Sequence, residues 1–189
     1  MGPQELQELW LRGKLTASIQ QHMEFHAMLG EAWRVSHYIS GVAQPSGTVD
    51  MLVIPPVGMD AEPHIHRTMS VHGDVLFYAY EDFGVSASGT FMPAANFRRA
   101  SQGVVTPEML IYHTPTISYL GAAYGPQFIP GGSTANAQGY MYRDPLPITM
   151  APGIPALFRV QNIRIVGDIE MEIAWWEDAF EDPNQPAIS

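Results

Sequence analysis

The sequence contains no cysteine, which excludes disulfide bonds, cysteine-ligated zinc, iron–sulfur clusters and thiol nucleophiles. Positive charge is also scarce: 9 Lys and Arg stand against 19 Asp and Glu, and the formal net charge is −10. Because binding to nucleic-acid phosphates needs clustered positive charge, we expect no nucleic-acid partner. The chain has no run of about 18 apolar residues, so no membrane span and no membrane partner are predicted.

Proline and glycine are abundant instead, with 16 and 17 copies, and 46% of the residues are hydrophobic. Such frequent breakers disfavour long helices and favour many short strands, while the apolar fraction is sufficient for a real core. "VLFYAYE" at 75–81 is apolar on both faces, which is typical of a central strand. Two further segments alternate with the period of a strand. Their predicted inward residues are Ile65, Met69 and Val71 in the first, and Ile169, Met171, Ile173 and Trp175 in the second.

Eight or nine strands at regular spacing predict an all-β fold, an antiparallel β-sandwich of jelly-roll type with a short helical N-terminal arm. We divide the chain into the arm at 1–30, the sandwich domain at 31–178 and an acidic C-terminal tail at 179–189. Within the domain, 125–139 is predicted to be an exposed loop and 143–155 a proline-rich connector. The arm cannot bury its own apolar face, so we expect it to dock on a partner. The predicted docking residues are Leu6, Leu9, Trp10 and Ile19.

His64 and His66 lie on one face of a predicted strand, as the first two metal ligands of cupin enzymes do. A cupin would follow this pair with a nearby glutamate, but positions 69–71 hold none. His72 lies roughly 20 Å further along an extended strand. In "HMEFH" at 22–26, a methionine occupies the place where a zincin needs its glutamate. We therefore predict no metal site and no cofactor.

Asp168, Glu170 and Glu172 form an acidic ladder on the outward face of the last strand. Alternate strand residues lie about 6.6 Å apart, which would suit paired carboxylates or a calcium site. The alternative that we favour is a solvated face, in which a hairpin with the strand at 156–162 places Arg159 opposite Glu170. The sequence contains no nucleophile elbow, P-loop or dinucleotide fingerprint. We predict no catalytic residues and no enzymatic activity.

Arg98 and Arg99 stand side by side in "GVSASGTFMPAANFRRAS", at 84–101. Small residues allow a tight turn at the start of this stretch, and Pro93 and Asn96 favour an ordered loop. Arginine side chains are multi-donor forks that suit carboxylates and carbonyl groups. In so acidic a chain, we expect them to bind acidic groups of the same chain or of a neighbouring copy.

The order of several segments resembles a family of tailed-bacteriophage capsid decoration, or cement, proteins. The similar stretches are "FHAMLGEAWRVSHYI", "YEDFGVSASGTFMPAANFRRAS", "IYHTPTISYLGAAYGPQFIPGGS", "APGIPALFRVQN" and "IEMEIAWWE". Their shared elements are Gly89-Thr90, then Asn96, Arg98 and Ser101, then Tyr112-His113-Thr114-Pro115-Thr116, and finally Leu157, Arg159, Val160 and Asn162. The resemblance covers about residues 25–177, and Gly121-Ala122 departs from it where a second Gly-Thr is expected.

This resemblance implies a structural virion protein on the outer surface of the phage capsid, made in the host cytoplasm. Its implied partners are the major capsid protein and its own copies, commonly in a homotrimer. It would stabilise the head by joining neighbouring capsid subunits. The interface residues expected from the arm and the loop are Leu6, Leu9, Trp10, Ile19, Asn96, Arg98 and Arg99.

Two other functions remain open at this point. One is a receptor- or carbohydrate-binding tail module that uses exposed aromatic side chains such as Tyr119, Tyr124 and Tyr140. The other is a degenerate cupin-type metalloenzyme built on His64 and His66.

Overall fold

The computed structural model of the chain describes eight stretches of the sequence. They are residues 26–27, 31–42, 47–57, 61–97, 106–131, 140–143, 148–163 and 167–179. Apart from a helical turn at His26 and Ala27, the regular structure in these stretches is made of β-strands. Within them, no helix is long and apolar enough to cross a membrane. The rest of the predicted arm lies outside the described residues.

Fourteen strands follow one another along the described residues. The first seven are β1 (Ala32–Val42), β2 (Thr48–Ile54), β3 (Ala61–Val71), β4 (Val75–Tyr80), β5 (Phe83–Ala87), β6 (Thr90–Phe91) and β7 (Ala95–Asn96). The other seven are β8 (Leu110–His113), β9 (Thr116–Leu120), β10 (Ala123–Ile129), β11 (Tyr140–Arg143), β12 (Ile148–Thr149), β13 (Ala156–Asn162) and β14 (Gly167–Ala179).

The strands form two antiparallel sheets that pack against each other, and a separate two-stranded ribbon. The first sheet has the order β11-β3-β14-β1-β7, with β12 also paired to β3. The second has the order β10-β4-β13-β2-β8-β6, and the ribbon consists of β5 and β9. The prediction of an all-β, antiparallel fold is confirmed.

The pairing is nested: β1 pairs with β14, β2 with β13, β3 with β11 and β4 with β10. Strands β1 to β4 alternate between the two sheets along the chain. Strands β10, β11, β13 and β14 alternate in the same way. Because β13 and β14 lie in different sheets, the predicted hairpin between 156–162 and 168–174 is wrong. β13 lies between β2 and β4 in the second sheet, whereas β14 lies between β1 and β3 in the first.

The core lies between the inner faces of the two sheets. Trp33 and Trp175 are direct cross-strand partners in the first sheet, with ring centroids 6.0 Å apart, and both are buried. Ile65 flanks Trp175 on the other side, and Phe77 and Phe158 face them from the second sheet within the same hydrophobic cluster. The predicted inward alternation of β14 and the central position of β4 are both confirmed.

The second sheet is also covered on its outer face. Leu52, Leu157 and Tyr80 form one row across β2, β13 and β4, and all three are buried. Phe83 of β5 and Ile117 of β9 pack against this row. A strand buried on both faces is apolar at every position, which explains why "VLFYAY" shows no alternation.

Two predicted loops contain strands. The predicted loop at 125–139 begins inside β10, which continues to Ile129 and pairs with β4. The register shifts between Tyr124 and Gln127, so Pro126 lies in a bulge where it removes no ladder hydrogen bond. The predicted connector at 143–155 contains β12, which pairs with β3.

Arg159 pairs with Asp50 of β2, and the predicted ion pair with Glu170 is wrong. The guanidinium donates two hydrogen bonds to the Asp50 carboxylate, at 2.7 and 2.9 Å. These bonds raise the pKa of Arg159, and they outweigh the opposing effect of burial. The two residues are direct partners in the β2–β13 ladder, so the pair fixes the register of two central strands.

We expect Asp50→Asn to lower the free energy of unfolding by about 1–3 kcal/mol, because it leaves a partly buried guanidinium without its bidentate partner. Glu172→Gln is the matched control. It removes the Arg34–Glu172 pair, whose atoms lie 3.9 Å apart and whose side chains are 52% and 31% exposed, against 18% and 11% for Arg159 and Asp50. This control should change stability by less than about 0.5 kcal/mol in urea denaturation. Equal losses of stability in the two variants would contradict a stabilising role for the Asp50–Arg159 pair.

His37 and His113 stack across the two sheets, with ring centroids 4.2 Å apart and an interplanar angle of 22°. His37 lies on β1 and His113 on β8. Nε2 of His37 is buried and has no hydrogen-bond partner. Burial, and next the charge of His113, lower the pKa of His37 below its ordinary value of 6.5.

A lowered pKa means that the unfolded chain binds a proton more readily than the folded chain. The neutral His37 therefore contributes stability that is present above its unfolded pKa and is lost as pH falls through its folded pKa. We expect His37→Phe, which keeps a stacked ring without a titrating group, to lose less stability than the wild type between about pH 8 and pH 5. Urea denaturation across this range measures the difference, and parallel pH profiles would disprove it.

Candidate interaction surface

The two strands β5 and β9 form a ribbon across the outer face of the second sheet, which we call the strap. Residues 75–91 run antiparallel to residues 110–129 through three successive ladders, β4–β10, β5–β9 and β6–β8. The first ladder belongs to one side of the second sheet, and β8 joins the other side by pairing with β2. The strap thus connects β4 to β8, which are separated in the second sheet by β13 and β2.

Asp82 anchors one end of the strap. Its carboxylate accepts a hydrogen bond of 2.7 Å from the Tyr119 hydroxyl, and its carbonyl oxygen accepts one of 2.8 Å from the Gly121 amide. The bond to Asp82 raises the pKa of Tyr119, since it holds the phenolic proton. A side chain at Gly84 would overlap the Tyr119 ring, so glycine allows this ring to lie against the strap backbone.

A bend at Gly89 and Thr114 separates the strap from the β6–β8 ladder. Gly89 has φ +91°, and a Cβ there would overlap the carbonyl oxygen of His113. Thr114 also has a positive φ, 54°, and its hydroxyl lies 2.9 Å from Nδ1 of His113. Each of the two paired backbone segments therefore has one residue with left-handed backbone dihedral angles, Gly89 in one and Thr114 in the other. The two residues lie side by side where the paired segments change direction.

Apolar and aromatic side chains are exposed along this ribbon. Three of the eleven exposed large hydrophobic residues in the described part of the chain lie on the strap itself, Val85, Tyr119 and Leu120. Four more lie in the adjoining ladders: Phe91 in β6, Leu110 in β8, and Tyr124 and Phe128 in β10. The inner side chains of the strap hold it against the second sheet, so its three exposed side chains are presented by an anchored element.

The predicted interface residues lie elsewhere or outside the described residues. Asn96 lies in β7 at the edge of the first sheet, opposite Trp33, and is partly buried. The other predicted interface residues, Leu6, Leu9, Trp10, Ile19, Arg98 and Arg99, are outside the described residues. Sequence reasoning assigned no interface role to the strap, although Tyr119 and Tyr124 were candidates for carbohydrate binding.

The histidines of β3 surround an indole ring on the outer side of the first sheet. The rings of His64 and Trp176 are stacked with centroids 5.0 Å apart, and His66 lies against the same indole at 5.8 Å. His26 stacks on it at 6.0 Å, which brings the helical turn before β1 onto this sheet. Among the described residues, no three metal-ligating side chains are close enough to hold an ion.

The acidic ladder of β14 is hydrogen-bonded to β1. Asp168 accepts bonds from the Tyr38 hydroxyl at 2.7 Å and the Gly41 amide at 3.0 Å, and Glu170 accepts one from Ser36 at 2.5 Å. The bond from Tyr38, followed by that from Gly41, lowers the pKa of Asp168. These carboxylates therefore stabilise the β1–β14 pair.

The β6–β8 ladder, next to the strap, joins two of the stretches that were compared with the decoration proteins. Thr90 of the Gly-Thr element is the ladder partner of His113, within the Tyr-His-Thr-Pro-Thr element. No known protein-family model matches the chain. No curated protein matches it in sequence. The resemblance to decoration proteins therefore rests on the sequence stretches quoted above and on no matched family or relative.

We expect Gly89→Ala to destabilise the protein by at least about 2 kcal/mol, through left-handed backbone strain and the overlap with His113. Gly153→Ala is the matched control. Gly153 also has a positive φ, 71°, but the nearest atom to an added Cβ lies 3.7 Å away in Val57. This control should cost about 1 kcal/mol. Thermal unfolding of both variants measures the difference, and equal losses would refute the tight packing at the bend.

Proposed function

We propose that this chain is a structural virion protein, a capsid decoration or cement protein that binds the major capsid protein and stabilises a phage head. The observation that supports it best is the strap, an anchored ribbon with exposed apolar and aromatic side chains on its outer surface. Tyrosine and other large apolar residues are typical of the central part of protein interfaces. An anchored element loses little conformational entropy on binding, which favours a stable contact.

We further propose that the sandwich is a jelly roll. The support is the nested pairing of eight of its strands, β1 with β14, β2 with β13, β3 with β11 and β4 with β10. A long antiparallel hairpin wound around two sheets gives this pairing, and capsid proteins commonly use such a fold. In this description, the strap is an insertion between the fourth and fifth strands.

In the proposed assembly, the chain lies on the outer surface of the virion after synthesis in the host cytoplasm, and its own copies associate as a homotrimer. The arm residues Leu6, Leu9, Trp10 and Ile19 dock on the capsid. Asn96, Arg98 and Arg99 fix the geometry of the loop or of the contact between subunits. The proposal includes no enzymatic activity and no cofactor. The acidic surface also disfavours contact with nucleic acid.

Tyr119→Ala tests the proposal because the chain offers a closely matched control. Tyr119 and Tyr38 are 54% and 57% exposed, and each donates a 2.7 Å hydrogen bond to an aspartate. They lie on different sheets, Tyr119 on the strap and Tyr38 on the outer face of the first sheet. We expect Tyr119→Ala to weaken binding to shells of the major capsid protein from the same genome by about tenfold or more, as for an interface hot spot.

Co-sedimentation with such shells measures this binding, and Tyr38→Ala should change it by less than about twofold. Sedimentation velocity of the unbound protein gives its oligomeric state. A wild-type protein that does not bind the shells would disprove the decoration function. Equal losses in both variants would disprove the role of the strap.

A carbohydrate-binding module is the second candidate, and the exposure of both Tyr119 and Tyr124 favours it. Sugar rings pack on exposed aromatic faces, and both hydroxyls are held by carboxylates, at Asp82 and Glu81. Saturable glycan binding together with no affinity for capsid shells would favour this function over the first.

A further inference from the structure

A cavity of about 470 Å³ lies between the two sheets and opens at the surface beside Tyr124 and Ile154, which are both exposed. Most of its lining is apolar, and Met150 and Phe158 are buried parts of that lining. Small-molecule sites in proteins have volumes of about 300–1,000 Å³ and combine apolar walls with a few polar groups. The cavity has the volume and the walls of such a site.

Two alanines on the inner face of the second sheet leave the space for this cavity. Ala79 of β4 is the ladder partner of Phe158 on β13, and Ala156 lies two residues before Phe158 on the same face. Both alanines line the cavity. Protein interiors usually leave few voids larger than a water molecule. The short side chains at these two positions therefore create room for a small organic molecule.

Arg67 of β3 forms the inner wall of the cavity, and its side chain is already engaged by the protein. Its guanidinium carbon lies 4.2 Å from the ring centroid of Phe77 and 5.1 Å from that of Phe158. Arg67 also has a further interaction within the chain. Its positive charge makes the inner end of the cavity unfavourable for a second cation. A cationic ligand would therefore enter with its apolar part first.

The outer part of the lining carries hydrogen-bond acceptors. Glu81, directly after β4, is exposed, and its Oε2 accepts a 2.7 Å hydrogen bond from the Tyr124 hydroxyl. The other carboxylate oxygen, Oε1, has no hydrogen-bond partner among the described residues. Gln127 of β10 donates a 2.6 Å hydrogen bond to Tyr142 through Nε2, which leaves its amide oxygen as a second acceptor. The lining thus offers one negative charge and two acceptor oxygens to a donor.

These groups match an ammonium ion in charge and in hydrogen bonding. An ammonium group has three donors and no acceptor, and a hydrogen bond from it to a carboxylate is stronger than one between neutral groups. The exposed ring of Tyr124 lies beside Glu81 and can add a cation–π contact. The formal net charge of −10 also attracts cations to the surface of the chain. A carboxylate ligand would instead be repelled by Glu81 where it enters.

We propose that this cavity binds a small organic amine with an apolar body, its ammonium group at Glu81 and its body against Met150 and Phe158. The cavity lies on the inner face of the second sheet and the strap on its outer face, so the proposal does not depend on a role in a capsid. A neutral alcohol of the same shape would bind more weakly because it lacks the charge, and a carboxylate would bind most weakly.

Methyl NMR of the full chain labelled with ¹³C-methyl methionine tests the site directly. Met150 lines the cavity and is buried, whereas Met141 is exposed and outside its lining. Titration with phenethylamine hydrochloride at neutral pH should shift the Met150 methyl signal saturably and leave that of Met141 in place. Phenethyl alcohol should bind at least about fivefold more weakly than the amine, and sodium phenylacetate at least about tenfold more weakly. The lack of a saturable Met150 shift with the amine would overturn the proposal, and so would phenylacetate binding as tight as that of the amine.

One substitution with a matched control locates the ammonium group. Glu81→Gln removes the charge but keeps an oxygen for the Tyr124 hydroxyl, and it should weaken binding of phenethylamine by about fivefold or more. Glu170→Gln removes the same charge from the outer face of the first sheet, where Glu170 also accepts one hydroxyl hydrogen bond, from Ser36. This control should change binding of the amine by less than about twofold. Equal affinities of the two variants for the amine would reject Glu81 as the binding group and the proposal with it.

Discussion

Burial of two apolar sheet faces against each other is the constraint on which the rest of the structure depends. Trp33 and Trp175 form a cross-strand pair at the centre of one face, and Phe77 and Phe158 belong to the other. Without cysteine, the chain must hold these faces together by packing and by its strand ladders. The Asp50–Arg159 pair adds a directional contact, since its two hydrogen bonds are satisfied in one register of β2 and β13.

The strap follows from the same constraint, applied to the outer face of the second sheet. Leu52, Leu157 and Tyr80 would expose an apolar row to water, and Phe83 and Ile117 cover it. The cover is only two strands wide, so its own outer side chains face solvent. A layer that completes the fold thereby has an outer face with exposed apolar side chains, and this is the face on which we propose that a partner binds.

The sequence reveals the strands better than it reveals their partners. The alternation of β14 and the two-sided apolarity of β4 are local properties, and both were predicted correctly. Arg159 was assigned to Glu170 because the two strands are close in sequence, but its partner Asp50 lies 109 residues away. Pro126 was read as a loop residue because a bulge depends on the neighbouring strand. The inward position of Arg67 follows from the period of β3, but its contacts with Phe77 and Phe158 join two sheets and cannot be read from the periodicity of one strand.

The central position of β14 in the first sheet has a consequence for synthesis on the ribosome. β14 pairs with both β1 and β3, and its side-chain contacts with β1 join residues 127–134 positions apart. Until residues 167–179 have emerged, β1 and β3 lack the strand that separates them, and their edges and apolar faces are open to wrong pairing. Such long-range closure is slow. The edges of β1 and β3 that β14 covers therefore stay unpaired for most of the synthesis of the described chain.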